Sequence, residues 1–287
     1  MGIVQGLTEF IPISSSGHLI IASRLVALFE GDAMRAQETT ATIAVLQLGT
    51  LVAVLVYFAK DIVGISTAFI RDNLAVILRK KDFLTGRHPL GFSQEAWLGW
   101  LIIIGSIPIG TVGLLLKKQI EGTFTKNLWV IATMMVVIAL VLIFAEAVSA
   151  KRKSIEQLGV FDALAVGFAQ VLALIPGTSR SGSTIMAGLF AGQRRETAAR
   201  FSFLLSIPAI SASGLLELRE AIHILPKETY LPLIVGTIVS GIVGYASIAF
   251  LLRYLRTRTL GIFIGYRLIV GIAILVLLYK GVISPQG

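Results

Sequence analysis

Gln5 and Glu9 stand four residues apart, which puts both on one face of a helix. Two oxygen ligands one turn apart can hold a hard cation such as Mg²⁺ or Ca²⁺, with phosphate oxygens and water completing its shell. The bland alternative is a polar pair that packs two helices. Shortly after comes Ser14-Ser15-Ser16-Gly17-His18, which sets hydroxyls beside an imidazole. His18 in that setting can serve as base, as nucleophile, or as acid toward a leaving oxygen. Serines at a helix start can also be simple caps.

A second polar run, Gly177-Thr178-Ser179-Arg180-Ser181-Gly182, lies far along the chain. Backbone N–H groups of such a turn can cradle a phosphate, and the following helix N-terminus adds positive potential. Arg180 supplies planar donors matched to phosphate oxygens. Its structural alternative is an ion pair with Glu9, which would also hold an empty site together. One carboxylate, one imidazole, one guanidinium and many hydroxyls suit an anionic phosphorylated ligand, whose transition-state charge such groups stabilise. No Walker pattern accompanies them, so a nucleotide is not expected. Arg267, after Tyr266 in an apolar stretch, reads as a structural residue that snorkels or binds a backbone carbonyl or lipid phosphate.

The elements that position these residues are apolar. Of 287 residues, 55% are hydrophobic and 14% charged, against about 25% charged in soluble domains. With a mean hydropathy of +0.86, a soluble helical enzyme is excluded. There is no cysteine, so thiolate, disulfide and iron–sulfur chemistry are excluded. The net charge of +9 fits membrane topology and anionic headgroups better than nucleic acid. Six stretches, 39–59, 96–116, 127–145, 201–216, 229–252 and 259–279, are apolar enough to span a membrane. Two more, 2–29 and 161–192, are broken by Pro12, Pro176 and runs of Ser and Gly. Broken backbone is tolerated at membrane depth only where protein or a water-filled cavity covers it. Both therefore read as re-entrant helix hairpins. Segment 61–95 reads as an interfacial amphipathic stretch.

Pro12-Ile-Ser-Ser-Ser-Gly17 echoes Pro176-Gly-Thr-Ser-Arg-Ser-Gly182, and Gly105, Gly110 and Gly113 align with Gly236, Gly241 and Gly244 at one offset. Residues 1–150 and 151–287 thus form two repeats within a single integral membrane domain. Each holds one hairpin and three spans; three is odd, so the second repeat is inverted. Inverted repeats with broken helices place a polar site near the midplane. The expected fold is an all-α polytopic membrane protein with six transmembrane helices and two re-entrant hairpins in an inverted-topology repeat.

Basic residues are unevenly shared. The face carrying the 61–95 segment has Lys60, Arg71, Arg79, Lys80, Lys81, Arg87, Lys151, Arg152, Lys153, Arg194, Arg195, Arg200, Arg253, Arg256 and Arg258. The other has Arg24, Arg35, Lys117, Lys118, Lys126, Arg219, Lys227 and Lys280. The richer face should be cytoplasmic, so the first hairpin should face outward.

The stretch from Gln5 to His18, with Pro176–Thr184, closely resembles undecaprenyl-diphosphate phosphatases, the bacitracin-resistance family. Leu46-Gln-Leu-Gly-Thr50 and Phe201–Pro208 also resemble it, and the likeness covers nearly the whole chain. It implies hydrolysis of undecaprenyl diphosphate to the monophosphate in the bacterial plasma membrane, recycling the carrier lipid of peptidoglycan synthesis. The family's acidic motif falls on Gln5 and Glu9, its essential histidine on His18, its serine loop on Ser14, Ser15 and Ser16, and its arginine motif on Ser179 and Arg180. A divalent cation and an outward-facing site are implied as well. Thr178 and Ser181 join the expected substrate-binding set, and Ser15 is the serine favoured to act with His18 in proton or phosphoryl transfer. Bacitracin would compete for the lipid substrate, the polyprenyl tail would lie in a groove open to lipid, and a homodimer is compatible. Two departures stand out. Members carry further apolar residues ahead of the acidic motif, so the first helix is expected to be too short to support Glu9 fully. Gln5 also replaces a charge, which should weaken a cation there.

Type 2 phosphatidic acid phosphatases share Ser-Gly-His and Ser-Arg patterns, matched by Ser16-Gly17-His18 and Ser179-Arg180, but their upstream Lys/Arg-Pro motif and following histidine are absent. A lipid flippase or transporter is the functional alternative, since inverted repeats and broken helices suit transport.

Overall fold

A computed structural model describes residues 1–30, 36–78, 86, 88–116, 127–225 and 227–285, apart from the side chains of 24–30, 36–40, 220, 222, 224 and 227. In the charge comparison, Arg35, Arg79, Lys80, Lys81, Arg87, Lys117, Lys118 and Lys126, and the side chains of Arg24 and Lys227, lie outside the described residues.

The described residues form helices and turns, with one isolated bridge between Lys153 and Gln193. In chain order the α-helices are α1 (Gly2–Phe10), α2 (Ser15–Glu30), α3 (Ala36–Tyr57), α4 (Ala59–Ile77) and α5 (Gln94–Leu115). They continue with α6 (Leu128–Val148), α7 (Val160–Val171), α8 (Arg180–Phe190), α9 (Arg195–Ile224), α10 (Tyr230–Leu255) and α11 (Gly261–Tyr279).

Five of these, α5, α6, α9, α10 and α11, are long and apolar enough to cross a membrane; α3 with α4, bent by 69° at their junction, makes a sixth if counted as one span. Leu114, Leu231, Ile262 and Ile269 are among many large apolar side chains exposed along them. A surface this apolar is satisfied by lipid rather than water. The chain is a polytopic membrane protein. α4 exposes Val63, Ile70, Leu74 and Ile77. Asp72 fixes its far end by accepting from Arg71 Nε (2.7 Å) and from the backbone N–H of Ser93 (2.8 Å), just ahead of α5.

Two places break the pattern of long helices. α1 turns into α2 through residues 11–14, and α7 turns into α8 through a 3₁₀ turn, Leu172–Leu174, and residues 175–179. In each, a proline and a run of hydroxyl residues interrupt the apolar sequence, as expected of backbone that cannot continue as helix. Each turn ends on a serine with positive φ, Ser14 at 79° and Ser179 at 68°. Non-glycine residues rarely adopt that conformation, and it recurs at functional sites. Each serine caps the next helix: Ser14 Oγ accepts the Gly17 N–H (3.5 Å) and Ser179 Oγ the Gly182 N–H (3.2 Å).

The first helix of each hairpin packs on a helix of the other half through paired glycines. A Cβ on Gly2 would sit 2.2 Å from the Gly236 carbonyl oxygen, and one on Gly167 would sit 2.3 Å from that of Gly105. No side chain fits in either crossing, so α1 lies against α10 and α7 against α5 at backbone distance. Gly105 and Gly236 are the residues that open the aligned glycine runs. α3 joins the first seam: Ser240 Oγ donates to the Leu46 carbonyl (2.9 Å) and Thr237 Oγ1 to that of Val45 (3.3 Å).

The core between the hairpins is aromatic and aliphatic. Phe10, Phe58, Phe201 and Phe203 are fully buried, and Phe10 meets Phe203 edge to face at 5.3 Å. At one end of the bundle, ion pairs pin the helices: Arg195–Glu146 (2.7 Å), Lys153–Asp162 (2.9 Å), Arg200–Asp61 (2.5 Å) and Arg256–Glu196 (2.8 Å).

Candidate active site

The turns of the two hairpins meet. Ser16 Oγ accepts the Gly177 N–H (3.3 Å), and Ser181 Oγ donates to the Ile11 carbonyl (3.3 Å). Because Ser14 and Ser179 start α2 and α8 beside this contact, the first turns of both helices face the same region. Their leading N–H groups have no helical carbonyl to pair with, which makes each a natural anion site.

Glu9 lies at the centre. Arg180 Nη2 donates to its Oε1 at 2.9 Å, and Gln5 Nε2 donates to its Oε2 at 3.1 Å. Gln5 Nε2 also reaches Thr50 Oγ1 at 3.4 Å. Nine residues of α1 suffice to present Glu9 as a buried, paired group. The seam on α10, rather than helix length, holds it.

Three buried polar atoms at this junction have no partner: Gln5 Oε1, Thr178 Oγ1 and Arg180 Nη1. Buried polar groups are nearly always hydrogen-bonded to protein or water, so these three atoms beside one ion pair are groups that water or a polar ligand would satisfy. Two of the three atoms are donors or can donate, as an anion requires.

His18 is placed differently. Its Nδ1 lies 2.7 Å from the Ser14 carbonyl oxygen and its Nε2 lies 2.7 Å from the Tyr266 hydroxyl. The structure thus joins Gln5, Glu9 and Arg180 directly, and joins the two turns through Ser16 and Ser181. His18 is tied in through Ser14, the residue that caps α2. Ser14 and Ser16 share a hydrogen bond (3.3 Å), as do Ser179 and Ser181 (3.3 Å). Ser15 is half-buried, and its hydroxyl has no hydrogen-bond partner among the described residues.

Sequence reading gave Arg267 a structural role, and its contacts are all of that kind. Fully buried, it donates to the carbonyls of Pro12 (3.2 Å), Met135 (3.2 Å), Met134 (3.4 Å), Gly177 (3.0 Å) and Thr178 (3.0 Å). One guanidinium therefore clamps both turns to α6. Tyr266, which touches His18, carried no sequence signal of its own, and Thr50, which touches Gln5, stood out only at the end of a stretch that resembles the family. An apolar cleft between the start of α1 and α10, lined by Gly2, Ile3, Leu231 and Val235, contains no candidate residue.

A sequence profile described as "Bacitracin resistance protein BacA" matches residues 1–273. The chain belongs to the BacA family. Its BacA relatives include an undecaprenyl-diphosphatase of Syntrophobacter fumaroxidans, 47% identical over 280 residues, covering 98% of this chain and 96% of the relative. The undecaprenyl-diphosphatase of Mycobacterium leprae strain Br4923 is 48% identical over 281 residues, covering 97% and 92%. That of Chlorobaculum tepidum is 47% identical over 294 residues, covering 99% and 97%. BacA membership thus extends through both hairpins and every element that positions Glu9, His18 and Arg180.

A cation fits this site only as a shared ligand. Among the described residues there is no cluster of three His, Asp or Glu side chains able to hold a metal. Gln5 Oε1 is a partnerless buried oxygen on the side chain that donates to the Glu9 carboxylate. Those two oxygens can supply part of a Mg²⁺ or Ca²⁺ shell, with ligand phosphate and water supplying the rest.

Proposed function

We propose that this protein hydrolyses undecaprenyl diphosphate to undecaprenyl phosphate and inorganic phosphate in the bacterial plasma membrane, so recycling the carrier lipid of peptidoglycan synthesis. The observation that carries the reading is the buried Arg180–Glu9 contact between two hairpin turns, ringed by unpaired polar atoms. The activity named for the BacA relatives supports it.

In this reading Arg180 and the Thr178–Ser179 turn grip the diphosphate oxygens, using the unpaired Nη1 and Oγ1 and the first N–H groups of α8. Ser14 and Ser16 shape the turn at the start of α2, and Ser181 holds the second turn against the first. Arg180 stabilises charge that grows on the phosphoryl oxygens. Ser15, whose hydroxyl is unpaired, and His18 carry out proton or phosphoryl transfer. Overall the terminal P–O bridge breaks, water supplies the new oxygen on phosphorus, and the lipid monophosphate leaves. A divalent cation at Glu9 and Gln5 would supply further charge neutralisation at the diphosphate.

The paired glycine crossings, Gly2 on Gly236 and Gly167 on Gly105, support two inverted repeats, 1–150 and 151–287, with re-entrant hairpins. The exposed apolar side of α4 supports an interfacial position for 61–95. Basic residues concentrate on the face opposite the first hairpin, which supports an outward-facing site where bacitracin would compete for the same lipid. The tail would lie between helices, open to lipid.

Purified protein in proteoliposomes, given undecaprenyl diphosphate with and without chelator, tests this. We expect monophosphate and inorganic phosphate in equal amounts, lost on chelation. Movement of intact diphosphate across the bilayer without phosphate release would establish a flippase instead.

A further inference from the structure

We infer that Tyr266 is a positioning residue for His18, fixing the orientation of the imidazole, whose Nδ1–H tautomer the Ser14 carbonyl selects, so that the Nε2 lone pair is held ready for proton transfer. The inference rests on the functional reading above only for its kinetic readout.

The geometry comes from both ring nitrogens. The Ser14 carbonyl oxygen, 2.7 Å from Nδ1, can only accept, so Nδ1 carries the proton in the neutral ring. Nε2 is then the acceptor, and the Tyr266 hydroxyl at 2.7 Å is its donor. Which nitrogen of a histidine is protonated is set by the hydrogen bond the other makes. Here the Ser14 carbonyl makes that choice, the Tyr266 hydroxyl holds the other nitrogen, and the two ring planes lie within 15° of each other at 5.5 Å. A ring held at both nitrogens has lost its freedom to flip.

Tyr266 can do this because of its neighbour. Arg267 is anchored to Pro12, Gly177 and Thr178 carbonyls, in the turns of both hairpins. The register of α11 is therefore set against the same backbone that starts α2 and α8. Tyr266 points to His18 from a backbone that cannot slide relative to Ser14 without breaking the Arg267 clamp. It is also 40% exposed, so its ring can turn aside when a phosphorylated head group takes over Nε2. Its effect on catalysis passes through His18.

Tyr266→Phe keeps the ring and removes the hydroxyl. In full-length protein labelled with ¹⁵N-histidine, the ligand-free wild type should show His18 as a single Nδ1–H tautomer with a hydrogen-bonded Nε2. Tyr266→Phe should move the Nε2 resonance to that of a nitrogen without a hydrogen-bond donor while His18 keeps its Nδ1–H, and His88 and His223 resonances should stay fixed and report an intact fold. With undecaprenyl diphosphate, kcat should fall about tenfold with KM unchanged. In a His18→Ala background the same change should have no further effect. Unchanged His18 resonances, a rise in KM at constant kcat, or a full tenfold loss in the His18→Ala background would each overturn the inference. Because the resonances are read without substrate, a wild type that releases no phosphate would count against the function and leave the tautomer test standing.

Discussion

Arg180 Nη2 meets Glu9 Oε1 at 2.9 Å across 171 residues of sequence, joining the start of α8 to the end of α1. Both side chains are largely buried, at 15% and 8% exposure. Removing one partner of such a pair strands the other charge, whereas removing both does not. Glu9→Gln should lower stability by about 3–5 kcal/mol. Glu9→Gln with Arg180→Met should recover most of that loss without restoring activity. Thermal unfolding in detergent, followed for both variants, checks this.

Arg267 satisfies five carbonyls with one side chain. Arg267→Met leaves the turn carbonyls of Pro12, Gly177 and Thr178 facing an apolar group, and each stranded carbonyl costs about 1–3 kcal/mol. We expect a steep fall in thermal stability, with little folded protein recovered. Lysine should not rescue it, since a compact ammonium cannot span the same fork. Melting temperatures of the two variants against wild type decide the point.

Ser15 has no hydrogen bond to lose, while Ser16 ties the two turns together. Ser15→Ala should therefore leave stability within about 0.5 kcal/mol and lower phosphate release by about 100-fold or more. Ser16→Ala should cost stability as well as rate. Paired melting curves and rate measurements separate the two.

Gln5 offers a neutral oxygen where a carboxylate would bind a cation more tightly. Gln5→Glu should lower the Mg²⁺ or Ca²⁺ concentration needed for half-maximal phosphate release by about tenfold. Titration of chelated protein with each cation measures it.

The glycine crossings make a prediction about folding. Gly167→Val places a side chain against the Gly105 carbonyl, 2.3 Å from the new Cβ, and should destabilise by at least about 1–3 kcal/mol. Gly265, with nothing within 4 Å of its added Cβ, should accept alanine with a gain of about 0.5–1 kcal/mol. The monodisperse fraction on size-exclusion, before and after heating, distinguishes these outcomes.

The hairpins were legible because Pro12, Pro176 and their serine runs cannot continue an apolar helix, and intramembrane Glu9 and Arg180 have no cheap place except each other's company. Arg267 was legible as a structural residue, with backbone carbonyls one of three partners open to it. What could not be read was which carbonyls it holds, since Pro12, Met135 and Gly177 converge only once the fold closes. Tyr266 was hidden because a tyrosine in an apolar helix is ordinary, and its hydroxyl gains meaning only 2.7 Å from His18. The positive φ of Ser14 and Ser179 left no mark in residue type, because glycine would be the usual choice there. The α3–α4 break falls close to where the apolar span 39–59 gives way to the amphipathic stretch 61–95, but its 69° angle left no mark, because Tyr57 and Phe58 are no helix breakers.

The central claim is that an acid, an imidazole and a guanidinium from two hairpins act on one phosphorylated head group. It is tested most directly by the rate of inorganic phosphate release from undecaprenyl diphosphate by purified Glu9→Gln, His18→Ala and Arg180→Lys proteins that remain folded. Each should lose about 100-fold or more in kcat relative to wild type. A folded variant of any of the three that turns over at the wild-type rate would contradict the account.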